Sequence, residues 1–346
     1  MIEDLLRDWD GEHLSARFDR PTGAWLLVGV HSTRLGPGMG GTRMKVYDSL
    51  ERAIDDVLRL SSAMTAKNAL AGLPFGGGKA VLAVPSLPSG AQRRKLLERY
   101  GDLVCSLGGS YVTACDMNTT PEDMDVVAER NAHTLGRSLG NGGSGSSAPA
   151  TAVGVFHGIR AGLEHALGSP DLSGRRVLVQ GVGAVGEHLA ELLGAEGAEL
   201  LLSDVRADRA GIVADRIGGK VVASEEALST PCDVFSPCAT GGILDARTVE
   251  TLRCMVVAGA ANNQLDAPDL AGRLRARGVL YAPDYVVNAG GVLSLAGREV
   301  LGWSEGVLAA RLERIGDTVR EVFAISERDG STTDEAAASL VAALLV

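Results

Sequence analysis

Three charged residues in the first half of the chain lie in segments suited to acid–base chemistry. Lys79 follows the glycines Gly76–Gly78 and begins an apolar run, so a cation enters a segment expected to be a buried strand. A lysine buried beside a second cation is a candidate general base. Lys67, in the segment MTAKNA, can supply that second charge and pair with a carboxylate, and Asp116 can hold an amine or relay its proton. Taken singly, each is more often a solvated surface group or a turn residue.

A second pattern, GVGAVG, is typical of dinucleotide-binding turns, and its glycines are Gly181, Gly183 and Gly186. It follows the apolar run RVLVQ and opens a helical segment. In such a turn the first glycine permits the tight bend, the second lets the backbone approach a pyrophosphate, and the third allows close helix–strand packing. The N–H groups at the helix N-terminus then bind the anion. The alternative is an ordinary βα turn that binds no ligand.

An acidic residue beyond this turn indicates which dinucleotide is preferred. Asp204 stands at the end of the next predicted strand, where its carboxylate can accept hydrogen bonds from both adenosine ribose hydroxyls and would repel a 2′-phosphate. That arrangement favours NAD over NADP. Arg206 and Arg209, just beyond it, weaken the preference slightly.

These residues need strands and helices to position them, and the apolar patterns predict several. In the first half, strands are predicted at 25–32, 79–85 and 109–116, and Gly76–Gly78 are expected to form a sharply bent loop that leaves space for a ligand. Asp48 and Glu51 predict a capping box for one helix, and another helix is expected at 93–107. In the second half, strands are predicted at 175–180, 198–204, 233–237, 255–262 and 279–284, with helices at 184–195 and from about 150.

The alternation of strands and helices predicts a two-domain α/β protein. Residues 1–139 are expected to form an α/β substrate-binding and catalytic domain, and residues 148–319 a Rossmann-type, doubly wound NAD-binding domain across a cleft from it. The Gly/Ser-rich stretch 140–147 is predicted to be the hinge. The C-terminal segment 320–346 is expected to pack back on the first domain, and Thr332 with Glu335 predicts a capping box for its helix.

The composition restricts the partners. The 346-residue chain has a net charge of −10 and no Lys/Arg run that would displace counterions from a nucleic acid. The apolar C-terminal run AAASLVAALLV is too short for a membrane span, and the acidic N-terminus lacks the apolar core of a signal peptide. The five cysteines form no CxxC pair and the six histidines form no HxH or HxxxH pair. These observations predict a cytoplasmic protein that binds no nucleic acid, membrane or metal.

Several segments occur in the order in which one known family has them. They are GPGMGGTRM at 36–44, MTAKNALAGLPFGGGKAV at 64–81, YVTACDMNT at 111–119, GVGAVG at 181–186, PCATGG at 237–242, GAANNQL at 259–265 and YAPDYVVNAGG at 281–291. The chain thus resembles the glutamate/leucine/phenylalanine/valine dehydrogenase family over nearly its whole length, and within it the leucine, valine and phenylalanine enzymes. The segments that contain the lysines are specific to that family.

The resemblance implies NAD-dependent oxidative deamination of an L-amino acid with a bulky apolar side chain, giving the 2-oxo acid and ammonium, by a homo-oligomer. Lys67 would bind the substrate carboxylate with the backbone amides of Gly40 and Gly41, Lys79 would activate the attacking water, and Asp116 would contact the amino group and share in proton transfer. Asn262 matches a position that contacts both substrate and cofactor. Cofactor contacts are implied at Arg43, Thr151, Gly181, Gly183, Ala184, Val185, Gly186, Asp204, Val205, Arg209, Ala239, Thr240, Ala260 and Asn262.

The resemblance leaves the substrate open between aromatic and branched-chain amino acids. Met39 is apolar where glutamate enzymes carry a cation, which argues against glutamate. Asn118, in a segment that reads DVGT in leucine and valine enzymes, favours phenylalanine, and so does Gly38, because the more usual alanine would narrow the substrate pocket. Val292 favours leucine and valine. Phenylalanine is expected as the main substrate, with a leucine/valine dehydrogenase as the alternative, and mixed specificity is compatible with both.

Two further alternatives have different functions. An enzyme that acts on another aromatic 2-oxo acid would keep Lys67, Lys79 and Asp116, so only a panel of substrates separates it from the first interpretation. A non-catalytic NAD-binding sensor would be free to lose Lys79 or Asp116, and this chain retains both.

Overall fold

The chain folds into two compact units, each built around its own sheet. The computed structural model describes residues 2–346; Met1, with which the predicted first domain begins, lies outside the described residues. The first unit runs to Gly145 and also contains Leu295–Gly302 and Leu344–Val346. The second unit contains Ser146–Ser294 and Trp303–Ala343. The division at residue 145 lies within the Gly/Ser-rich stretch.

The first unit is a sheet with a helical layer on each face. Its elements are α1 (Ile2–Trp9), β1 (His13–Asp19), β2 (Ala24–Ser32), β3 (Gly38–Lys45), α2 (Leu50–Leu70), β4 (Gly76–Ala83), α3 (Gly90–Ser106), β5 (Tyr111–Cys115) and α4 (Pro121–Ala128), followed by a short 3₁₀ helix at Leu139–Asn141. The strand order is β1-β2-β4-β3-β5. Strands β1, β2 and β4 pair antiparallel, whereas β3 pairs parallel with both β4 and β5.

Alternate residues of the strands face the two helical layers, because successive side chains of a strand point to opposite faces. Ala80 and Leu82 of β4 pack in the core that includes Tyr100 of α3. Val81 packs in the core formed with the α2 residues Val57 and Leu58. Lys79, two residues before Val81, therefore lies on the same face of the sheet, which α2 covers.

The glycines before Lys79 form part of a strand and not the bent loop that was predicted. Gly76–Gly78 are the first residues of β4, and all three are buried. A Cβ at Gly77 would collide with Thr65 of α2, and one at Gly78 would lie 2.6 Å from the ring of Tyr111. The missing side chains therefore make room for a helix and an aromatic ring of the protein itself.

Two other features of the first unit differ from what the sequence led us to expect. Strand β3 was not predicted, because the segment GMGGTRMK has little apolar alternation; it is held by pairing with strands on both sides. Helix α2 does not begin with a capping box of Asp48 and Glu51. Ser49 is its N-cap, and the Ser49 hydroxyl accepts a hydrogen bond from the Arg52 amide at 3.3 Å.

The second unit has the predicted doubly wound parallel sheet. Its elements are α5 (Ala148–Leu167), β6 (Arg176–Gln180), α6 (Ala184–Ala195), β7 (Glu199–Ser203), α7 (Ala207–Ile217), β8 (Lys220–Val221), a 3₁₀ turn at Ala227–Ser229, β9 (Val234–Pro237), α8 (Thr248–Thr251), β10 (Val256–Val257), α9 (Leu270–Ala276), β11 (Leu280–Tyr281), α10 (Asp284–Val287), α11 (Gly290–Glu299), α12 (Glu305–Asp329) and α13 (Thr333–Leu344). The strand order is β11-β10-β9-β6-β7-β8, and every pair is parallel. The order reverses between β6 and β9, which is the point where such sheets bind ligands.

Most of the C-terminal segment 320–346 belongs to the second unit and not, as predicted, to the first, of which only Leu344–Val346 form part. Helix α12 packs along α5 inside the second unit. The approach is close because α5 carries glycines: a Cβ at Gly154 would lie 2.7 Å from Ile315 Cδ1. The predicted capping box at the start of α13 is confirmed, since the Thr332 amide donates to Glu335 Oε2 at 2.7 Å and the Glu335 amide donates to Thr332 Oγ1 at 3.2 Å.

Asp334, in the first turn of α13, gives the second unit a pH-dependent stability. Burial, together with the carboxylates of Asp284 and Glu335, raises the pKa of Asp334 to about 6. Because the folded-state pKa exceeds the unfolded value, the folded state holds the proton more tightly, and this favourable contribution is lost as the pH rises through about 6.

We therefore expect Asp334→Asn to stabilise the protein at pH 8 by about 2 kcal/mol, because the variant does not have to ionise a buried acid. Near pH 4 most of the difference should vanish, since the wild-type acid is then largely protonated. Urea unfolding of both proteins at the two pH values measures this. A variant no more stable than the wild type at pH 8 would show that ionising Asp334 does not lower the free energy of unfolding.

Candidate active site

Lys79 and Asp116 form a buried ion pair on the α2 face of the first unit. Lys79 lies in β4 and Asp116 follows the end of β5, and the Nζ–Oδ2 distance is 2.7 Å. Only 8% of the Lys79 side chain and 26% of the Asp116 side chain are exposed. Strand β3 lies between β4 and β5, and its Gly41 leaves room for the pair: a Cβ at Gly41 would lie 2.8 Å from that of Asp116. The pair thus needs a glycine at position 41.

Asp116 is held in its ionised form and in a fixed position. Burial raises the pKa of Asp116, but the Lys79 ammonium and the Arg43 guanidinium outweigh this effect and hold the pKa below its ordinary value. The Asp116 amide donates to Thr119 Oγ1 at 2.8 Å, and that hydroxyl donates to the Thr42 carbonyl of β3 at 2.8 Å. The carboxylate is therefore an anchored acceptor for a proton or an ammonium group.

Lys67 lies in the last turn of α2, half-buried on the same side of the sheet. The next residue, Asn68, is fully buried, and its side-chain amide donates to the carbonyls of Gly76 at 2.6 Å and Met39 at 3.3 Å. Asn68 thus ties the helix that carries Lys67 to the first residues of β3 and β4. Sequence reasoning missed Asn68, although a buried amide in an apolar helical stretch was a signal that could have identified it. Gly40 follows Met39 on β3, so the predicted carboxylate-binding residues share one region.

Arg43 was predicted to reach the cofactor, but its guanidinium is engaged inside the first unit. Nη1 lies 2.9 Å from Asp56 Oδ2, and Nε lies 3.4 Å from Asp116 Oδ2. Only 13% of the side chain is exposed. The structure therefore places Arg43 with the Lys79–Asp116 pair.

Two residues predicted to shape the substrate pocket have local structural roles. Asn118 is exposed and has φ +58°, a backbone conformation that glycine and asparagine tolerate best, and its side-chain amide donates to the Met44 carbonyl at 3.0 Å. A Cβ at Gly38 would meet the Gly77 carbonyl and Val30 Cγ1, each at 3.0 Å, and not open space. Both residues are thus explained by local backbone and packing requirements. Met39 is buried, as expected of an apolar residue on this face.

The three glycines of GVGAVG have three different surroundings in the second unit. Gly181 has φ +95°, and a Cβ there would lie 2.6 Å from that of Ala239 at the end of β9. A Cβ at Gly186 would collide with the Gly181 carbonyl, so only glycine lets α6 approach β6 this closely. A Cβ at Gly183 would meet nothing within 4 Å. The middle glycine therefore faces open space at the N-terminus of α6, which has no side-chain cap and is suited to bind a pyrophosphate.

The backbone amide and carbonyl of Val182 are both held by residues that follow β7. The Val182 amide donates to Asp204 Oδ2 at 3.0 Å, and its carbonyl accepts from Arg209 Nε at 2.6 Å. Arg209 also lies 3.5 Å from Glu187 of α6. Asp204 Oδ1 accepts from the Arg206 amide at 3.0 Å. Asp204 and Arg209 thus hold the shape of the dinucleotide turn.

The other predicted cofactor and substrate residues of the second unit lie on several of its segments. Ala184 and Val185 begin α6, and Val205 is 85% exposed after β7. Ala239 and Thr240 follow β9 and are exposed, and Thr151 lies in the first turn of α5, where its hydroxyl donates to the Ser147 carbonyl. The Asn288 side-chain amide donates to the Ala260 carbonyl at 3.1 Å and to Asn262 Oδ1 at 2.8 Å. Val292 is half-buried in the first turn of α11.

Among residues 2–346, no three His, Cys, Asp or Glu side chains are grouped so that they could hold a metal ion. Over the same range, no helix is both long and apolar enough to cross a membrane.

Comparison with known proteins gives consistent matches along the chain. The family model described as Glu/Leu/Phe/Val dehydrogenase, dimerisation domain, matches residues 25–133, and that described as Glutamate/Leucine/Phenylalanine/Valine dehydrogenase matches residues 142–221 and 202–342. A valine dehydrogenase of Streptomyces virginiae is 47% identical over 315 residues, which are 90% of this chain and 87% of that relative. A leucine dehydrogenase of Geobacillus stearothermophilus is 39% identical over 332 residues, 96% of this chain and 90% of that one.

A solved structure matches as well. The crystal structure of L-tryptophan dehydrogenase from Nostoc punctiforme aligns with a TM-score of 0.86 and 36% identity, covering 100% of this chain and 98% of that one. The fold, the dinucleotide turn and the lysine–aspartate pair are those of a nicotinamide-dependent oxidoreductase. The chain belongs to the glutamate/leucine/phenylalanine/valine dehydrogenase family, as its motifs predicted. It is an amino-acid dehydrogenase, acting on the CH–NH2 group of its donor.

The open space at Gly183 can be tested by filling it. We expect Gly183→Ala to fold normally, because its backbone is in an extended region that alanine adopts, and to bind NADH about tenfold more weakly because the methyl group stands where the pyrophosphate must approach. Fluorescence titration measures the affinity and thermal unfolding the stability. Gly211→Ala in α7, where a Cβ also meets nothing within 4 Å, is the matched control and should bind NADH normally. Unchanged affinity of Gly183→Ala would argue against a pyrophosphate at this glycine.

Proposed function

We propose that the protein catalyses the reversible, NAD-dependent oxidative deamination of branched-chain L-amino acids, with valine and leucine preferred. The observation that carries the chemistry is the 2.7 Å contact between Lys79 and Asp116, next to the helix that carries Lys67. The substrate class is supported by the relatives named valine dehydrogenase and leucine dehydrogenase, which match along 90% and 96% of this chain.

Each charged group of the first unit has a distinct task in this proposal. Lys67 binds the substrate carboxylate as a point charge, with the backbone amides of Gly40 and Gly41 as further donors. Asp116, which is ionised, accepts a hydrogen bond from the substrate amino group and takes up its proton. The bound nicotinamide supplies the hydride acceptor in deamination and the hydride donor in amination.

Lys79 acts on the water molecule. In the deamination direction Lys79 first releases its proton to solvent through Asp116, which is the proton that the overall reaction liberates, and its free amine then takes a proton from the water that attacks the substrate carbon. Asp116 returns the proton of the substrate amine to the nitrogen, and the proton of the carbinolamine hydroxyl leaves with the amino group as ammonium, so that the Lys79–Asp116 pair ends with the protons it began with. The short contact between the two groups supports direct proton exchange.

The preference for NAD is supported by the second unit. Asp204 lies at the end of β7, where an acid favours two ribose hydroxyls over a 2′-phosphate. The sequence left open whether Arg209 could hold such a phosphate. Its guanidinium is engaged by the Val182 carbonyl and Glu187, which supports a preference for NAD.

Two of the residues that favoured phenylalanine have a second explanation. Asn118 has a left-handed backbone position, and Gly38 is in close contact with Gly77 and Val30. The tryptophan dehydrogenase relative keeps aromatic 2-oxo acids in the substrate panel. We further propose that identical chains associate through the first unit, whose family domain is described as a dimerisation domain.

Purified protein should oxidise NADH when ammonium and a branched 2-oxo acid are present. We expect 3-methyl-2-oxobutanoate and 4-methyl-2-oxopentanoate to give higher kcat/KM than phenylpyruvate, measured by the loss of NADH absorbance. Lys79→Ala should lower kcat by about 10³-fold because the general base is lost. A preference for phenylpyruvate would restore the aromatic assignment, and an unimpaired Lys79→Ala variant would refute the role of Lys79.

The role of Asn118 can be separated from substrate choice. Asn118→Gly should keep the ratio of kcat/KM for branched and aromatic substrates within about twofold, because glycine tolerates the positive φ. Asn118→Ala should lower the free energy of unfolding by about 1–2 kcal/mol, since alanine disfavours this conformation, and should also leave the ratio unchanged. A ratio that moves toward branched substrates in Asn118→Gly would show that the side chain does select the substrate.

A further inference from the structure

A buried chain of alternating charges continues beyond the Lys79–Asp116 pair. Arg43 lies between two carboxylates, 3.4 Å from Asp116 Oδ2 and 2.9 Å from Asp56 Oδ2. Asp56 lies on α2, and only 12% of its side chain is exposed. The shorter of the two contacts is thus the one that points away from Asp116.

Asp56 is fixed by donors from three directions. Besides Arg43 of β3, the Tyr47 hydroxyl donates to Asp56 Oδ2 at 2.6 Å, and Arg59, one turn along α2, donates to Oδ1 at 2.8 Å. Burial raises the pKa of Asp56, but Tyr47, Arg43 and Arg59 together hold it below its ordinary value. Asp56 is therefore a permanent negative charge with its oxygens saturated by donors.

The charged surroundings of Asp116 are different. Lys79 of β4 and Arg43 of β3 face it directly. The carboxylates of Asp123 on α4 and Glu299 on α11 act on its chain neighbour Cys115. A full Arg43–Asp116 ion pair would occupy the oxygen that Lys79 contacts, because both cations approach Oδ2.

We propose that Asp56 is a positioning residue that holds Arg43 back from Asp116, so that Asp116 remains free to exchange a proton with Lys79 and the substrate amine. This inference rests on the proposed function of the Lys79–Asp116 pair. Without Asp56, the guanidinium would have Asp116 as its remaining buried partner and would move onto it. Asp116 would then be a weaker proton acceptor, because a close cation stabilises its charged form.

The test is a double-mutant cycle between positions 43 and 56. Asp56→Asn keeps the shape of the side chain and should lower kcat by about tenfold, with the KM for the 2-oxo acid little changed, since Lys67 binds its carboxylate. In an Arg43→Met background, the same Asp56→Asn change should alter kcat by less than about twofold, because the residue it restrains is gone. Equal effects in both backgrounds would overturn the proposal.

The pH dependence gives a second readout that a structural role would not move. Asp56→Asn should shift the acid limb of kcat/KM to lower pH and Arg43→Met should shift it to higher pH, each by about half a unit, since one removes a negative and the other a positive charge near Asp116. The matched control is Asp19→Asn, which breaks the buried contact between Asp19 and Arg99 Nη2 (2.9 Å) on β1, at the opposite edge of the same sheet. The control should lower stability without moving the limb.

A measurement without turnover separates this inference from the proposed function. The titration of the Asp116 carboxyl is followed by ¹³C NMR in the full-length protein labelled at aspartate, with the signal assigned from Asp116→Asn. Its midpoint should rise in Arg43→Met and should fall, or lie below the accessible range, in Asp56→Asn. If the wild type turns over no 2-oxo acid, the proposed function fails, and these midpoints alone decide the inference. Midpoints that coincide in all three proteins would refute it.

Discussion

The ion pair between Lys79 and Asp116 is the constraint on which the first unit depends. The two residues come from strands that are not neighbours, so their side chains must meet over β3, and Gly41 leaves the room for this. Removing two charges from water costs several kcal/mol per ion, which the attraction between them repays only with good geometry and further hydrogen bonds. Arg43 supplies a further contact to the carboxylate, and the Thr119 hydroxyl holds the Asp116 backbone in place. The apolar cores on the two faces of the sheet must provide the net stability, because the pair serves chemistry.

Glycine serves opposite purposes at different positions of the chain, and this explains one failure of sequence reasoning. Gly77 and Gly186 let a helix or turn of the protein itself approach the backbone, so their space is filled. Gly183 also lies in a glycine-rich segment, but a Cβ at this position would have no protein atom within 4 Å. A glycine-rich segment therefore indicates a close approach without indicating what approaches. The turn at Gly181 could be interpreted correctly because the preceding strand, the following helix and Asp204 together define one supersecondary unit.

The elements that the sequence predicted well are those whose signal is local. The ends of α6 and the capping box of Thr332 and Glu335 were found because periodicity and capping are properties of neighbouring residues. Strand β3 was missed because it is held by pairing on both sides and not by strand propensity. The packing predicted for the C-terminal segment was wrong because an apolar helix face shows that the helix is covered but not by what. The glycines of α5 against which α12 packs lie more than 140 residues earlier in the chain.

The substrate prediction depended on a similar ambiguity. The difference between Asn118 and the glycine expected in leucine and valine enzymes looked like a change in the pocket, but both residues tolerate the left-handed backbone found there. Either residue therefore maintains the turn that supports Asp116. Discrimination between apolar substrates is worth only about 1–3 kcal/mol per methylene group, which a small displacement of the pocket walls can supply.

The charges of the first unit also bear on the proposal that a separate lysine binds the substrate carboxylate. Lys79, Asp116, Arg43 and Asp56 alternate in sign and together sum to zero. An amino acid brings one ammonium and one carboxylate into this region. Asp116 can receive the ammonium, but neither cation of the chain can leave its acid for the carboxylate without exposing a buried, unpaired charge. A cation from another element must therefore receive it, and Lys67 fits this requirement because Asn68 fixes its helix to the starts of β3 and β4.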